Sequence, residues 1–106
     1  VPFPIRRVYY IFSTKEGVER GFHAHKDLQQ IAIAVTGSCE IILDDGDEQK
    51  SVLLDNSTKG LYIGPGVWRV MRNFTPDCVL LVLADQHYDE SDYIRSYDEF
   101  LKWKKK

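Results

Sequence analysis

Short apolar runs, broken at regular intervals by turn chemistry, dominate this sequence. Residues 5–12, 28–36, 38–43, 48–54, 61–64, 67–74 and 78–84 are each rich in β-branched and aromatic side chains, which suit the pleated surface of a sheet. Asp45-Gly46, Asp55-Asn56-Ser57 and Pro65-Gly66 separate several of them. Glycine supplies positive φ at such turns, and Asx side chains bond their own backbone. About eight strands at a spacing of roughly 8–12 residues predict an all-β sandwich or barrel. Pro2 and Pro4 hold the entry extended, and residues 13–17 read as a polar loop. The run 78–84 is apolar nearly throughout, which predicts burial on both faces. The tail changes period: Ser91-Asp92 is a helix start, and Ile94, Tyr97 and Leu101 recur at helical spacing. One helix over 91–102 is therefore expected on the outer face of the barrel, with Lys104-Lys105-Lys106 as its solvated end.

With 106 residues, 43% of them hydrophobic and 28% charged, the chain builds one core, so residues 1–106 are read as a single domain. A net charge of −2 gives no electrostatic reason to expect nucleic acid as a partner. No 18-residue apolar span or secretory signal is visible, so neither a membrane nor export is expected. Cys39 and Cys78 sit inside apolar strand-like runs, and reduced thiols in the cytoplasm are the expectation. The chain opens at Val1 almost directly into a strand, and more sequence is expected to precede it.

Residues 17–26 read Gly17-Val18-Glu19-Arg20-Gly21-Phe22-His23-Ala24-His25-Lys26. Histidines one residue apart on a strand share a face, and the glycines let the backbone bend sharply on either side. Two readings follow: a surface turn with incidental histidines, or a pair of imidazoles aimed into a pocket. On the next strand, Gln30, Ala32 and Ala34 form one face and Ile31, Ile33 and Val35 the other. The alanines either leave room beside the histidines or allow close sheet packing.

The spacing Gly17-x5-His23-x-His25-x4-Gln30-x6-Gly37 resembles the first motif of the cupins, which are small jelly-roll β-barrels. Gly60, Pro65-Gly66 and Arg69 echo the second motif. Metal-binding cupins hold a transition metal with both histidines, a Glu at the Gln30 position and a His near Arg69. An amide oxygen is a poor ligand and guanidinium is never one, so no metal is expected. His23 and His25 are then free to move protons, with unperturbed pKa values near neutrality.

A closer resemblance covers most of the chain. It rests on Arg7-Val8-Tyr9-Tyr10-Ile11-Phe12, the run Arg20 to Lys26, Gly37-Ser38-Cys39, Leu43-Asp44-Asp45-Gly46, Gly60-Leu61-Tyr62, Tyr88-Asp89-Glu90 and Asp92-Tyr93-Ile94-Arg95. Together these resemble the WxcM-like nucleotide-sugar 3,4-ketoisomerases, with Arg69 departing from the histidine expected after the Trp. The resemblance implies a cupin barrel with one C-terminal helix and a homodimer, with exchange of an N-terminal strand compatible with this start. The implied substrate is dTDP-4-keto-6-deoxy-D-glucose, its keto group moved from C4 to C3 through an enediol, with no cofactor.

In that scheme His23 is the main base and His25 its partner. Tyr10 is the first choice for a phenol reaching the sugar, with Tyr9 on the opposite face as the alternative. Arg20 would bind the diphosphate or stabilise the enediolate, or else form a plain surface ion pair. Arg69 and Gln30 are further candidates for substrate contact, and Trp68 either stacks on the thymine or serves the core or a dimer contact. A 3,5-epimerase and a non-catalytic sugar-nucleotide-binding module are the alternative functions.

Overall fold

The computed structural model describes residues 1–12, 15 and 17–105, so most of the loop expected over 13–17 lies outside the described residues. Among the described residues nine strands form two antiparallel sheets. In chain order they are β1 (Arg7–Ile11), β2 (Arg20–His25), β3 (Gln30–Thr36), β4 (Cys39–Asp44), β5 (Gln49–Leu54), β6 (Leu61–Ile63), β7 (Trp68–Arg72), β8 (Val79–Ala84) and β9 (Tyr93–Ile94). One sheet runs β1-β8-β3-β6 and the other β5-β4-β7-β2-β9.

Register explains the core. Tyr9 and Ala32 both pair with Val82, Gln30 pairs with Ala84, and Ala34 with Leu80, so these side chains share the inner face of the first sheet. Ile41, Met71, Cys39 and Leu54 meet them from the second sheet. Ala32 and Ala34 are buried within this cluster; their small size serves close packing between sheets. Both cysteines are buried and free, and burial pushes the Cys39 thiol up to about 12.

The outer face of the same sheet corrects the expectation for residues 78–84. Leu80, Val82 and Ala84 are buried, but Val79, Leu81 and Leu83 alternate with them and are only half-buried. Val8 and Tyr10 on β1 and Ile31 and Ile33 on β3 lie on that outer face too. Tyr62, whose sequence context suits a core filler, is exposed there, and its hydroxyl donates to Gln29.

The tail also differs from expectation. Residues Glu90–Asp92 form a 3-10 turn capped by Asp89, and β9 follows it. The helix α1 spans Tyr97–Lys104 with Ser96 as its N-cap. No longer helix starts at Ser91 because it lies inside the 3-10 turn and the chain straightens directly after, with Ile94 held in the ladder opposite Ala24. Ser96-x-x-Glu99 is the capping-box pattern that marks the true start. Phe100 is fully buried and packs with Trp68 and Tyr97, ring centroids 5.8 Å from each. Trp68 therefore belongs to the core under α1, which removes its reading as a base-stacking residue. No helix among the described residues is long and apolar enough to cross a membrane.

Candidate active site

The site is built on an irregularity in β2. Gly21 pairs with Val70 and His23 with Arg69 on β7, leaving Phe22 as one extra residue, a bulge. Gly21 has φ +96° and Phe22 φ +57°. A Cβ on Gly21 would lie 2.8 Å from the Arg69 carbonyl oxygen, so only glycine lets β2 approach β7 this closely. The bulge puts Arg20 and His23, three residues apart, on the same side of the sheet. His25 follows on that side, opposite Tyr93 of β9, while Ala24 turns outward to the cluster under α1.

His23 and His25 meet ring to ring, centroids 5.0 Å apart and planes at 85°. Tyr93 packs against both, at 5.1 and 4.3 Å. His25 is buried and its Nδ1 lies 2.9 Å from Asp92 Oδ2; its Nε2 has no hydrogen-bond partner among the described residues. His23 is half-buried and lines a cleft of about 500 Å³ along the seam between β1 and β2. Arg7, Tyr9, Tyr10, Arg20, Tyr93 and Arg95 line it as well.

Beneath the cleft lies Arg69, 1% exposed. One Nη donates to Gln30 Oε1, the other to the Val67 carbonyl at 3.0 Å, and Nε has no partner among the described residues. Its two bonded acceptors are thus neutral. Gln30 Nε2 in turn donates to the Tyr9 hydroxyl at 3.1 Å. Burial pulls the Arg69 guanidinium down to about 10, which leaves it charged at neutral pH.

This charge and the dry surroundings correct the expectation of near-neutral histidines. Burial first, then the Arg69 charge, lowers His23 to about 3 and His25 to about 4. At pH 7 both rings are therefore in their neutral, basic form. The folded state takes up these protons only near pH 3–4, whereas the unfolded chain takes them up near 6.5. Stability should therefore fall as pH drops below about 6.5, by up to about 1.4 kcal/mol per pH unit for each ring, and level off near 3–4. Urea midpoints at pH 7 and 5 check this; an unchanged or higher midpoint at pH 5 contradicts it. For the same reason kcat/KM should show no histidine limb near pH 6.5.

Both tyrosines border the cleft, but they face different ways. Tyr9 points inward and joins Gln30 and Arg69, whereas Tyr10 lies on the outer face opposite Leu81 and is 56% exposed. Arg20 is exposed at the rim of the cleft, while Gln30 and Arg69 are buried below it. Four contributors were not singled out from the sequence: Asp92, Tyr93, Arg7 and Arg95. Arg7 sits over the Tyr9 ring at 5.1 Å, and Arg95 over Tyr93 at 4.2 Å while pairing with Glu90. Tyr93 occupies a two-residue strand, too short for any periodicity to reveal.

Residues 1–105 match the family described as "FdtA: WxcM-like, C-terminal". The chain belongs to this WxcM-like family. A curated relative of this WxcM-like chain, TDP-4-oxo-6-deoxy-alpha-D-glucose-3,4-oxoisomerase of Aneurinibacillus thermoaerophilus, is 54% identical over 103 residues, which are 97% of this chain and 74% of the relative. A 3,4-ketoisomerase from Helicobacter canadensis superposes with a TM-score of 0.97 at 51% identity, over 100% of this chain and 80% of its own. QdtA, a sugar 3,4-ketoisomerase from Thermoanaerobacterium thermosaccharolyticum solved with TDP, gives 0.97 at 50% identity, over 99% and 77%. A QdtA variant has also been solved with TDP-4-keto-6-deoxyglucose.

The two-sheet barrel with one C-terminal helix agrees with the cupin class expected for such a chain. The cupin metal set does not fit here. Of the four positions, Arg69 is a cation and Gln30 Oε1 accepts its hydrogen bond, which leaves two histidines facing a positive charge. Among the described residues no group of three or more His, Cys, Asp or Glu is placed to hold a metal ion.

Proposed function

We propose that this chain is a sugar-nucleotide 3,4-ketoisomerase acting on dTDP-4-keto-6-deoxy-D-glucose. The observation that carries this reading is a neutral, cleft-facing His23 paired across the sheet with Arg69, a buried cation bonded only to neutral acceptors. A ketone at C4 acidifies the C3 proton. His23 takes that proton, the C3–H electrons form the C3–C4 double bond, and the carbonyl electrons move to O4. The resulting enediolate is the charge that a preorganised guanidinium stabilises. O4 then gains a proton, O3 loses one, and C4 is protonated, so the ketone reappears at C3 with no external oxidant. His25 and Tyr9 move protons among the sugar oxygens. At the rim, Arg20, Arg7 and Arg95 suit the diphosphate, since guanidinium binds oxyanions in a fixed fork.

Solvent-exchange NMR tests this. In deuterated water the product should carry solvent-derived label and a C3 ketone. Unchanged, unlabelled substrate would leave only a binding module, and label at C3 and C5 with an inverted 4-ketose would indicate the epimerase.

A homodimer, with a strand exchanged between subunits, belongs to the same proposal, as does a cytoplasmic location. Supporting the dimer is the outer face of the first sheet, where Val8, Tyr10, Ile31, Ile33, Leu81 and Leu83 lie side by side. Contiguous apolar patches of this kind mark association surfaces. Sedimentation at micromolar concentration should give a dimer and Leu81→Lys a monomer; a monomeric wild-type chain would sink the assignment.

A further inference from the structure

We propose that Asp92 is the positioning residue of the histidine pair: it holds the His25 proton on Nδ1, so that Nε2 presents a lone pair inside the site. The inference rests on the isomerase reading and extends it to a residue outside the cleft lining. Asp92 is buried, and both carboxylate oxygens are occupied by donors. Oδ1 accepts the Asp27 amide at 2.8 Å, and Oδ2 accepts the Leu28 amide at 3.3 Å while lying 2.9 Å from His25 Nδ1. A carboxylate so surrounded only accepts, which makes Nδ1 the donor. The Lys26 amide also bonds to the Asp92 carbonyl at 3.0 Å, so the turn after β2 and the residue before β9 hold each other in place. His25 has little freedom to rotate: it is 1% exposed and packed between His23 and Tyr93.

One tautomer follows. His25 Nε2 is buried with no donor facing it among the described residues, and a lone pair in that position needs a donor. A sugar hydroxyl supplies one. During the isomerisation Nε2 accepts the hydroxyl proton and the ring becomes imidazolium, its charge balanced by Asp92. It then returns the proton to the other sugar oxygen, so the ring ends as it began. With the opposite tautomer, Nε2 would carry a hydrogen and could only donate.

Asp92→Asn tests the assignment with little change of shape. The Asn oxygen can still accept the Asp27 amide, but its NH2 faces Nδ1 and favours the Nε2–H tautomer. On dTDP-4-keto-6-deoxyglucose, kcat should fall by about 10²–10⁴-fold, while KM changes by less than about threefold. Ring-nitrogen NMR should show His25 as Nδ1–H in the wild-type chain and as Nε2–H in the variant. A wild-type Nε2–H ring overturns the proposal, as does a variant that loses activity with its tautomer unchanged. If the variant fails to fold, the wild-type spectrum alone decides. Should the wild-type chain show neither isomerisation nor exchange at C3, the isomerase reading fails, while the wild-type tautomer still tests the hold of Asp92.

Discussion

His23→Asn should lower kcat by about 10²–10⁴-fold, the usual contribution of a placed proton-transfer group, and abolish deuterium uptake at C3 of the substrate. The substitution removes the basic ring nitrogen and keeps a polar side chain of moderate size. His23 is half-buried at the wall of the cleft and borders it directly, whereas His25 lies behind, buried and bonded to Asp92. The loss should thus fall on chemistry: the variant should keep its unfolding free energy within about 0.5 kcal/mol, as changes outside the packed core do, and should still bind dTDP. Single-turnover kinetics with the 4-keto substrate measures the first quantity and calorimetric titration with dTDP the second. Full activity in the variant would remove His23 from its role as base.

The largest stability effect is expected at Phe100→Ala. This ring is fully buried between Trp68 and Tyr97, and truncating such a phenylalanine typically costs about 3–5 kcal/mol. Domains of this size have only about 5–15 kcal/mol in total, so the variant sits close to unfolding. At roughly 4–8 °C per kcal/mol, Tm should drop by more than about 12 °C. Phe100 also shares its cluster with Ala24 and Ile94, the residues flanking His25 and Tyr93 in sequence. Weakening the cluster should loosen the back wall of the site, and kcat should decline before global unfolding. Differential scanning calorimetry checks the first claim; a loss below about 1 kcal/mol would mean that α1 contributes little to the fold.

Most strands were legible because a period of two and a few turn residues suffice to mark them. The face each strand turns inward was harder. Tyr9 and Tyr10 are chemically alike, and only the cross-strand partners, Val82 for one and Leu81 for the other, separate them. Ser91-Asp92 carried a genuine helix-start signal, yet it lies inside a 3-10 turn and the chain straightens directly after, and the same signal at Ser96 begins the helix. The histidine pair could be read from spacing alone. Its electrostatics could not, because the lowering of both rings depends on burial and on Arg69, some forty residues further along the chain, whose own acceptors only the folded sheet brings into place.

The extra residue at Phe22 makes residues up to Gly21 and from His23 onward count their faces from different origins. Giving Phe22 a rung of its own, in simple alternation, would swing Arg20 away from the imidazoles, leaving base and cation on opposite walls, whereas deleting it would keep the two on one side. Substituting it is another matter, since its side chain is exposed. At this rung the extra step of the backbone, rather than the exposed ring it carries, decides which faces meet.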